Sequence, residues 1–436
     1  MRIKPVFFVS LLLYFNLPCL FAQSIDLTLE NAVNRAIENN LNLQKHQIDL
    51  GTSRHSERFL LAEIFPTINA GASVGFATPM FSGDGFEVNE NNLEYRTTVG
   101  ISFGLNAGIP YSIRNIRSAH QANVLKYEDA VNQLSIQVTK RYFSLVAEKN
   151  SVQLLEEILN LAQSQLTRSE ISFRNGLVGE LSLTQSRLAL ANARYNLSAA
   201  KTANDNNMAE FAGLLGMSAN EVFTLSGEAE IVKIEADAEA LIRDYLHKRP
   251  DIVRSTQEIE RLRAAHLQIA MQSRAPNLSF SLNWNSSAFD PFADRLSGTA
   301  SVNIPLDPWL PGTTRSQVIS RASDSLEKAK LDLKITEDAA KMQIRSLSAL
   351  LRNSWDGILI ARISLDAARR SYQLTEQGFR NGTVEALTLQ DVRNSMANAR
   401  QRLLQTELSY FNMILDLSAA LNIDWKKIIQ TYGVPE

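Results

Sequence analysis

Cysteine is almost absent from this chain. The 436 residues include one cysteine, Cys19, which lies close to the N-terminus. A small fold held together by disulfides and a zinc site built on cysteine are therefore excluded. Large packed surfaces must stabilise the protein instead.

Charge and hydropathy exclude two further classes of protein. Lys and Arg number 44 against 46 Asp and Glu, which gives a formal net charge of −2. The chain therefore has no excess of basic residues for binding nucleic acid. No run of 18 or more apolar residues occurs beyond the N-terminal segment, so membrane-spanning helices are not expected.

Residues that carry catalysis or bind metals form no recognisable pattern. The histidines lack the spacing of a metal site, GLLGMS lacks the lysine of a phosphate-binding loop, and no nucleophile elbow is visible. The sequence thus predicts a protein that is not an enzyme and that binds no metal or cofactor. The five histidines are His46, His55, His120, His247 and His266.

Residues 1–22 have the composition of a secretory signal peptide. Arg2 and Lys4 give it a positive start, an apolar segment follows, and LFA at its end suits cleavage. A lipid anchor on Cys19 is the competing interpretation, although Pro18 directly before it fits that interpretation poorly.

The sequence repeats itself once. FRNGLVGELSLTQSRLALANAR, which starts at Phe173, and FRNGTVEALTLQDVRNSMANAR, which starts at Phe379, agree at 12 of 22 positions at an offset of 206. Pro66 and Pro276, which each end a helical pattern, are 210 residues apart. Such a repetition predicts two copies of one structural unit. The predicted repeats are residues 23–230 and residues 231–436.

Each repeat contains two segments in which apolar residues alternate with Gly, Ser, Thr and Asn. Alternation places the two sets on opposite faces of a strand. An apolar face opposite a small, uncharged one is typical of a membrane β-barrel. The alternative is a soluble sandwich with one solvated face, but such a face usually carries Lys and Glu. The predicted strands cover about residues 67–77, 94–107, 277–286 and 296–304, with longer loops inside each pair.

Two helical segments are unusually long. Residues 113–173 and 313–379 contain no proline, and at 1.5 Å per residue they would reach roughly 90 and 100 Å. Helices of this length need neighbours alongside them, as in coiled coils. The predicted fold class is therefore an α+β membrane protein, with four strands per chain, long antiparallel helices and an internal duplication.

Each long helix ends at FRNG, and a second helix follows it. Gly176 and Gly382 stand where the long helices stop, a position that favours the left-handed conformation open to glycine. We therefore predict two helix-hairpin tips, at about residues 173–182 and 379–388.

The starts of the second helices carry residues typical of helix caps. Ser182 with Gln185 has the form of a capping box, and Thr388 with Asp391 approximates it. Both hydroxyls are predicted to be N-caps.

The doubled tip resembles the helix-tip motif of the TolC-like outer membrane efflux family. The resemblance rests on an aromatic residue followed by x-x-Gly, a hydrophobic segment, a polar cap and a later Ala-Arg stretch, found twice, and it covers the whole mature chain. It implies that the tip residues, with Arg187 and Arg393, lie at the channel entrance and contact an adaptor protein. Relatives often carry aspartate where this chain has Ser182 and Thr388, so only Asp391 matches the acidic entrance position.

The resemblance also implies the function. It predicts an outer membrane duct of a tripartite efflux or type I secretion system, which conducts substrates passively from an inner-membrane pump through a periplasmic helical extension. Its expected partners are two identical copies, a periplasmic adaptor, the pump and outer membrane lipid. Four strands cannot close a barrel and eight leave no channel, so a trimeric barrel of twelve strands is expected. The alternative is a soluble or surface-associated helical scaffold or adhesion protein of the cell envelope.

Overall fold

The fold consists of long helices and one four-stranded sheet. The structure, a computed structural model, describes residues 25–76, 93–218, 221, 223–227, 229–287, 290–381 and 383–434. The predicted signal peptide and Gly382 lie outside the described residues. In chain order the elements are β1 (Ile25–Leu27), α1 (Leu29–Asn39), α2 (Leu41–Arg58), β2 (Thr67–Phe76), β3 (Leu93–Leu105), α3 (Ile109–Arg174), α4 (Glu180–Leu214), β4 (Phe223–Leu225), β5 (Lys233–Ile234), α5 (Ala238–Tyr245), α6 (Pro250–Arg274), β6 (Asn277–Ser287), β7 (Asp290–Asn303), α7 (Thr314–Arg380), α8 (Ala386–Leu421), α9 (Trp425–Tyr432) and β8 (Gly433–Val434).

The four predicted strands form a single antiparallel sheet with the order β2-β3-β6-β7. One row of the sheet pairs Ala70 with Val99, Val99 with Trp284 and Trp284 with Leu296. Apolar residues therefore stand beside apolar residues across all four strands, as the alternation in the sequence predicts.

The second hairpin is longer than predicted. β6 extends to Ser287 and β7 already begins at Asp290, whereas the sequence suggested a loop up to about residue 295. The ladder continues because Asn285 pairs with Arg295 and Ser287 with Asp290, with a register shift between the two pairs. Backbone pairing thus prevails over the turn-forming residues of this segment. Residues 77–92, where the other loop was predicted, lie outside the described residues.

The long helices are confirmed. Helix α3 has 66 residues and α7 has 67, and the helices that follow them, α4 and α8, have 35 and 36. None of the helices among the described residues is long and apolar enough to cross a membrane.

The compact units of the fold do not coincide with the two sequence repeats. Among the described residues, one unit contains the chain up to Glu38 together with Arg141–Ala229, and the other contains Asn39–Lys140 and the chain from Glu230 onward. The division into two repeats therefore stays a prediction about sequence duplication rather than a description of two separately packed bodies.

An aromatic cluster forms the core of the first unit. The rings of Tyr142 and Phe211 lie 6.3 Å apart, and Phe223 packs against Phe211 at 6.1 Å. The Tyr142 hydroxyl lies 2.8 Å from the carbonyl oxygen of Leu27 and 2.6 Å from that of Ser226. Since Leu27 ends β1 and Ser226 follows β4, this phenol joins the small parallel pair of strands to helix α3.

The core of the second unit lies between α7, α8 and the C-terminal segment. Tyr410 is fully buried, its ring lies 5.4 Å from that of Trp355, and its hydroxyl accepts a bond from the Ile234 amide at 2.8 Å. The same hydroxyl donates to the Val232 carbonyl at 3.0 Å, and burial raises the pKa of Tyr410. A neutral phenol thus fixes strand β5, which pairs with β8, to the long helices.

Candidate functional site: helix tips and sheet faces

Helix α3 ends at the first tip as the sequence predicts. Gly176 has φ +70°, in the left-handed region that glycine enters without a steric penalty. The Leu177 amide donates to the Ser172 carbonyl at 2.8 Å, and the Gly176 amide donates to Phe173 at 3.0 Å. These two bonds make a Schellman motif, which satisfies the last carbonyl groups of helix α3.

The second tip has the same closing bond. The Thr383 amide donates to the Gly378 carbonyl at 2.9 Å, which corresponds to the Leu177–Ser172 bond at an offset of 206. The Thr383 hydroxyl adds a bond to the same carbonyl at 3.0 Å. Gly382, predicted to be the left-handed residue here, lies outside the described residues.

The predicted N-caps are wrong. Helix α4 begins at Glu180 after the extended Gly179, and α8 begins at Ala386 after the extended Glu385; neither preceding residue makes a side-chain cap bond. Ser182 and Thr388 therefore occupy the third helical position. The Ser182 amide donates to the Gly179 carbonyl at 3.1 Å, so its own backbone is already part of the first turn. The turns are five residues long, 175–179 and 381–385, and the helices start before the hydroxyls are reached.

The first tip presents an apolar surface. Leu177 and Leu181 are 75% and 73% exposed, and Phe173 and Leu188 are also exposed. Among the predicted site residues here, Ser182 and Gln185 are half-buried, whereas Arg187 is exposed.

Polar bonds across the hairpin hold the two helices of this tip together. The hydroxyls of Ser169 and Ser186 lie 2.8 Å apart, and Arg194 donates to Gln163 at 3.2 Å. Further from the turn, Lys201 and Glu156 form an ion pair at 2.7 Å.

The second tip presents a more polar surface than the first, although Leu374 and Leu387 are exposed there too. Thr388 and Asp391 are exposed, and the half-buried Arg393 lies over the ring of Tyr372, 5.8 Å from its centroid. A cation placed over an aromatic face is attracted by the ring quadrupole. Arg393 was predicted as a tip residue, whereas Tyr372 was not. Tyr372 stands 21 residues before Arg393, about as far before the turn as Arg393 stands after it, so the hairpin geometry could have indicated this pair.

A close contact inside the second tip was also missed. A Cβ atom added to Gly378 would lie 2.7 Å from Cγ2 of Val384, so Val384 packs directly over this glycine. The corresponding residue of the first tip is Ser172, which already carries a Cβ. The pattern G-x-x-x-x-x-V carries this signal, but only structure shows the contact.

The sheet has one apolar face, and that face is uncovered. Ile68 on β2 is 76% exposed and Leu296 on β7 is 70% exposed, and Val99, Phe280 and other members of the same face are exposed too. Among the described residues, no other part of the chain covers this sheet face, a feature that marks an interaction surface.

The opposite face is lined by small polar residues that bond to one another. The hydroxyls of Thr67 and Ser102 lie 2.6 Å apart, and Thr98 donates to Asn285 at 3.0 Å. Gly100 lies between the side chains of Asn69 and Asn283, whose Oδ1 atoms would come within 2.7 and 2.5 Å of a Cβ there. Only glycine allows both amides to cover this point of the central strand.

One Ser–His–Glu arrangement occurs between α2 and α3. Ser53 Oγ lies 3.0 Å from His120 Nδ1, and Glu57 Oε2 lies 3.3 Å from His120 Nε2. The Ser53 hydroxyl donates to the Leu50 carbonyl at 2.9 Å, so its proton is not directed at the imidazole as nucleophilic catalysis requires. The described residues contain no group of three or more His, Cys, Asp and Glu placed as metal ligands.

Known proteins match this chain along nearly its whole length. The family model described as outer membrane efflux protein matches residues 32–217 and 241–422. The probable efflux pump outer membrane protein TtgC of Pseudomonas putida is 24% identical over 92% of this chain and 84% of its own length. The cation efflux system protein CusC of Escherichia coli O157:H7 is 23% identical over 92% of this chain and 87% of its own.

A solved structure shares the fold. The Campylobacter jejuni CmeC outer membrane channel superposes with a TM-score of 0.74 at 18% identity, covering 92% of this chain and 88% of that channel. The two matched segments contain both helix tips, and the resemblance seen in the sequence is confirmed. The chain is a duct of the outer membrane, and it belongs to the outer membrane efflux protein family.

Proposed function

We propose that three copies of this chain close a twelve-stranded barrel in the outer membrane. The observation that carries the proposal is the four-stranded sheet, whose edge strands β2 and β7 each have one unpaired side and whose apolar face is exposed. Open edges do not persist in lipid, because unpaired backbone groups find no water there. Pairing β7 of each copy with β2 of the next removes every edge. Two copies would give a barrel of only eight strands, and side chains fill the interior of a barrel of that size.

In this assembly the two faces of the sheet contact different environments. The face with Ile68 and Leu296 contacts lipid, and the face with Asn69 and Asn283 lines the lumen. Hydroxyl and amide groups on the lumen face bond to neighbours on adjacent strands, so they are held against the wall. Small polar side chains that lie flat leave a water-filled path rather than a filled core.

The long helices form the periplasmic extension of the duct, and the tips form its inner end. The adaptor of an inner-membrane pump docks at the tips, and the pump supplies the energy for transport. Gly176, Ser182, Gln185 and Arg187 belong to the first tip. The second tip contributes Gly382, Thr388, Asp391 and Arg393.

Planar-bilayer recording of the purified full-length protein tests the proposal. A passive duct gives discrete single-channel steps without nucleotide or adaptor. A helical scaffold or adhesion protein would give no steps and would be recovered without detergent, and that result would overturn the proposal.

The same recordings test the entrance role of Asp391. Asp391→Asn removes one exposed carboxylate from each copy, and the expected result is weaker block of the current by divalent cations. Asp366→Asn, on the long helix before the second tip, is the control and should leave the block unchanged. Equal block in wild type and Asp391→Asn would remove Asp391 from the entrance.

A further inference from the structure

The two connections that join helices to the edge strands both carry exposed apolar side chains. The lead-in segment, residues 59–66, precedes β2, and the exit segment, residues 304–313, follows β7. The exposed side chains are Phe59, Leu61 and Phe65 in the lead-in segment and Ile304, Leu306, Trp309 and Leu310 in the exit segment, all between 59% and 72% exposed.

Both segments are ordered by their own hydrogen bonds. The lead-in segment contains a 3₁₀ turn, Leu60–Glu63, and the Ala62 amide donates to the Phe59 carbonyl at 2.8 Å. The exit segment contains a second such turn, Asp307–Trp309. These local backbone bonds hold the apolar side chains of each segment on a defined surface.

Side-chain bonds fix the exit segment further. The Thr313 hydroxyl donates to the Asp307 carbonyl at 2.7 Å, and Arg315 forms an ion pair with Asp307 at 3.0 Å. The guanidinium of Arg274 lies over the Trp309 ring, 5.0 Å from its centroid. One ring face is therefore occupied, while the indole as a whole remains exposed.

The connections to the central strands are different. Residues 106–112, between β3 and α3, and residues 271–277, between α6 and β6, carry no exposed large apolar side chain. Ile109 is buried, and Gly108 approaches Gln272 so closely that a Cβ would lie 2.3 Å from its Cγ. Among the four connections between helices and strands, the exposed large apolar side chains thus lie in the two that serve the edge strands.

This distribution indicates whether lipid or a second copy of the chain covers the exposed side chains. Lipid surrounds a barrel evenly, and an apolar girdle that serves lipid would appear at central and edge strands alike. A contact with a second copy concerns the edges alone. β2 starts and β7 ends at the same end of the sheet, where Thr67, Ser102, Ser281 and Thr299 form one row.

We propose that the lead-in segment of one copy packs against the exit segment of the next. Pairing β7 with β2 of a neighbouring copy brings the two segments side by side, and the same contact repeats at each of three seams. Such a head-to-tail contact uses two different surfaces and closes into a ring. The inference rests on the proposed trimer, and it identifies a second interface that strand pairing alone does not require.

Photo-crosslinking in the intact protein tests this contact. Benzoylphenylalanine is placed at Leu61 or at Leu310, with Leu282 on the central strand β6 as the control. The expected result is a protein–protein crosslink from Leu61 and Leu310 and none from Leu282. Crosslinks from Leu61 and Leu310 to lipid alone, in a sample that native mass spectrometry shows to be trimeric, overturn the contact and leave the proposed function standing. A sample without trimers overturns both.

A second measurement follows the strength of the contact. In Leu61→Ala/Leu310→Ala the temperature at which trimers dissociate in detergent should fall by several degrees. Pro110→Ala, at a central connection, is the control and should leave that temperature unchanged. Equal dissociation temperatures for wild type and the double variant would contradict the proposed contact.

Discussion

The two helix tips share a backbone and differ in surface. Both have a five-residue turn and the same closing hydrogen bond, Leu177 to Ser172 in one and Thr383 to Gly378 in the other. At three positions an exposed apolar residue of the first tip corresponds to a polar residue of the second. These pairs are Ile171 with Gln377, Leu177 with Thr383 and Leu188 with Asn394.

The two tips have kept the same turn but not the same exposed residues. The turn is fixed by backbone chemistry, because a helix that reverses within five residues must satisfy its last carbonyl groups and enter the left-handed region. The exposed positions are free of that requirement, so they diverged. The first tip exposes more apolar side chains than the second, so in the proposed duct the two tips would offer an adaptor different surfaces.

The largest expected loss of local stability is at the turn of the first tip. Gly176→Val forces a β-branched residue to φ +70°, at a cost of about 2 kcal/mol. Local opening should become roughly 30-fold more frequent, and hydrogen exchange of the first-tip amides measures it. Gly179→Ser is the control, since Gly179 is extended with open space around it. Unchanged exchange in Gly176→Val would contradict a turn that depends on the left-handed conformation of Gly176.

The next largest effect on local stability is expected where Val384 packs on Gly378 in the second tip. Gly378→Ala introduces a Cβ 2.7 Å from Val384, and overpacking of this kind costs about 1–2 kcal/mol. Hydrogen exchange of the second tip should rise, and the additional change Val384→Ala should restore it. Ser172→Ala at the corresponding position of the first tip is the control, with no expected change. If the two alanine variants behave alike, the tips do not differ in packing.

A smaller effect is expected at the ring under Arg393. Tyr372→Leu gives the second tip the residue that the first tip has at the corresponding position, Leu166. Loss of the cation–π contact at 5.8 Å should weaken the second tip by about 0.5–1 kcal/mol. Tyr372→Phe keeps the ring and should retain the wild-type exchange rates. A loss of equal size in both variants would assign the effect to the hydroxyl instead.

The smallest effect tests where the second helices begin. Because α4 starts at Glu180, Ser182→Ala should change first-tip stability by less than about 0.5 kcal/mol. Gly179→Ser places a hydroxyl at the true N-cap and should gain a few tenths of a kcal/mol. A loss of about 1 kcal/mol in Ser182→Ala would restore the hydroxyl as the cap.

Features governed by local rules could be predicted from the sequence. The strands follow from the alternation around Ile68 and Leu282, and the turn follows from Gly176 at the end of a helical pattern. The N-caps could not be predicted, because Gly179 and Glu385 lack the side-chain signal by which caps are recognised, while Ser182 and Thr388 carry it three residues too late.

Features that depend on distant contacts could not be predicted. Strand β1 pairs with β4 through Ile25 and Phe223, which are nearly 200 residues apart in the sequence. No local sequence pattern predicts such a pair. The contact of Val384 with Gly378 and the exposure of apolar side chains in the edge connections depend on side-chain placement in three dimensions.

The central claim is that one chain supplies a third of a closed wall. Native mass spectrometry of the detergent-extracted mature protein tests it most directly. The account predicts one dominant species with three times the mass of the chain, which separates into single chains on heating. A stable single chain in detergent-free buffer would contradict it.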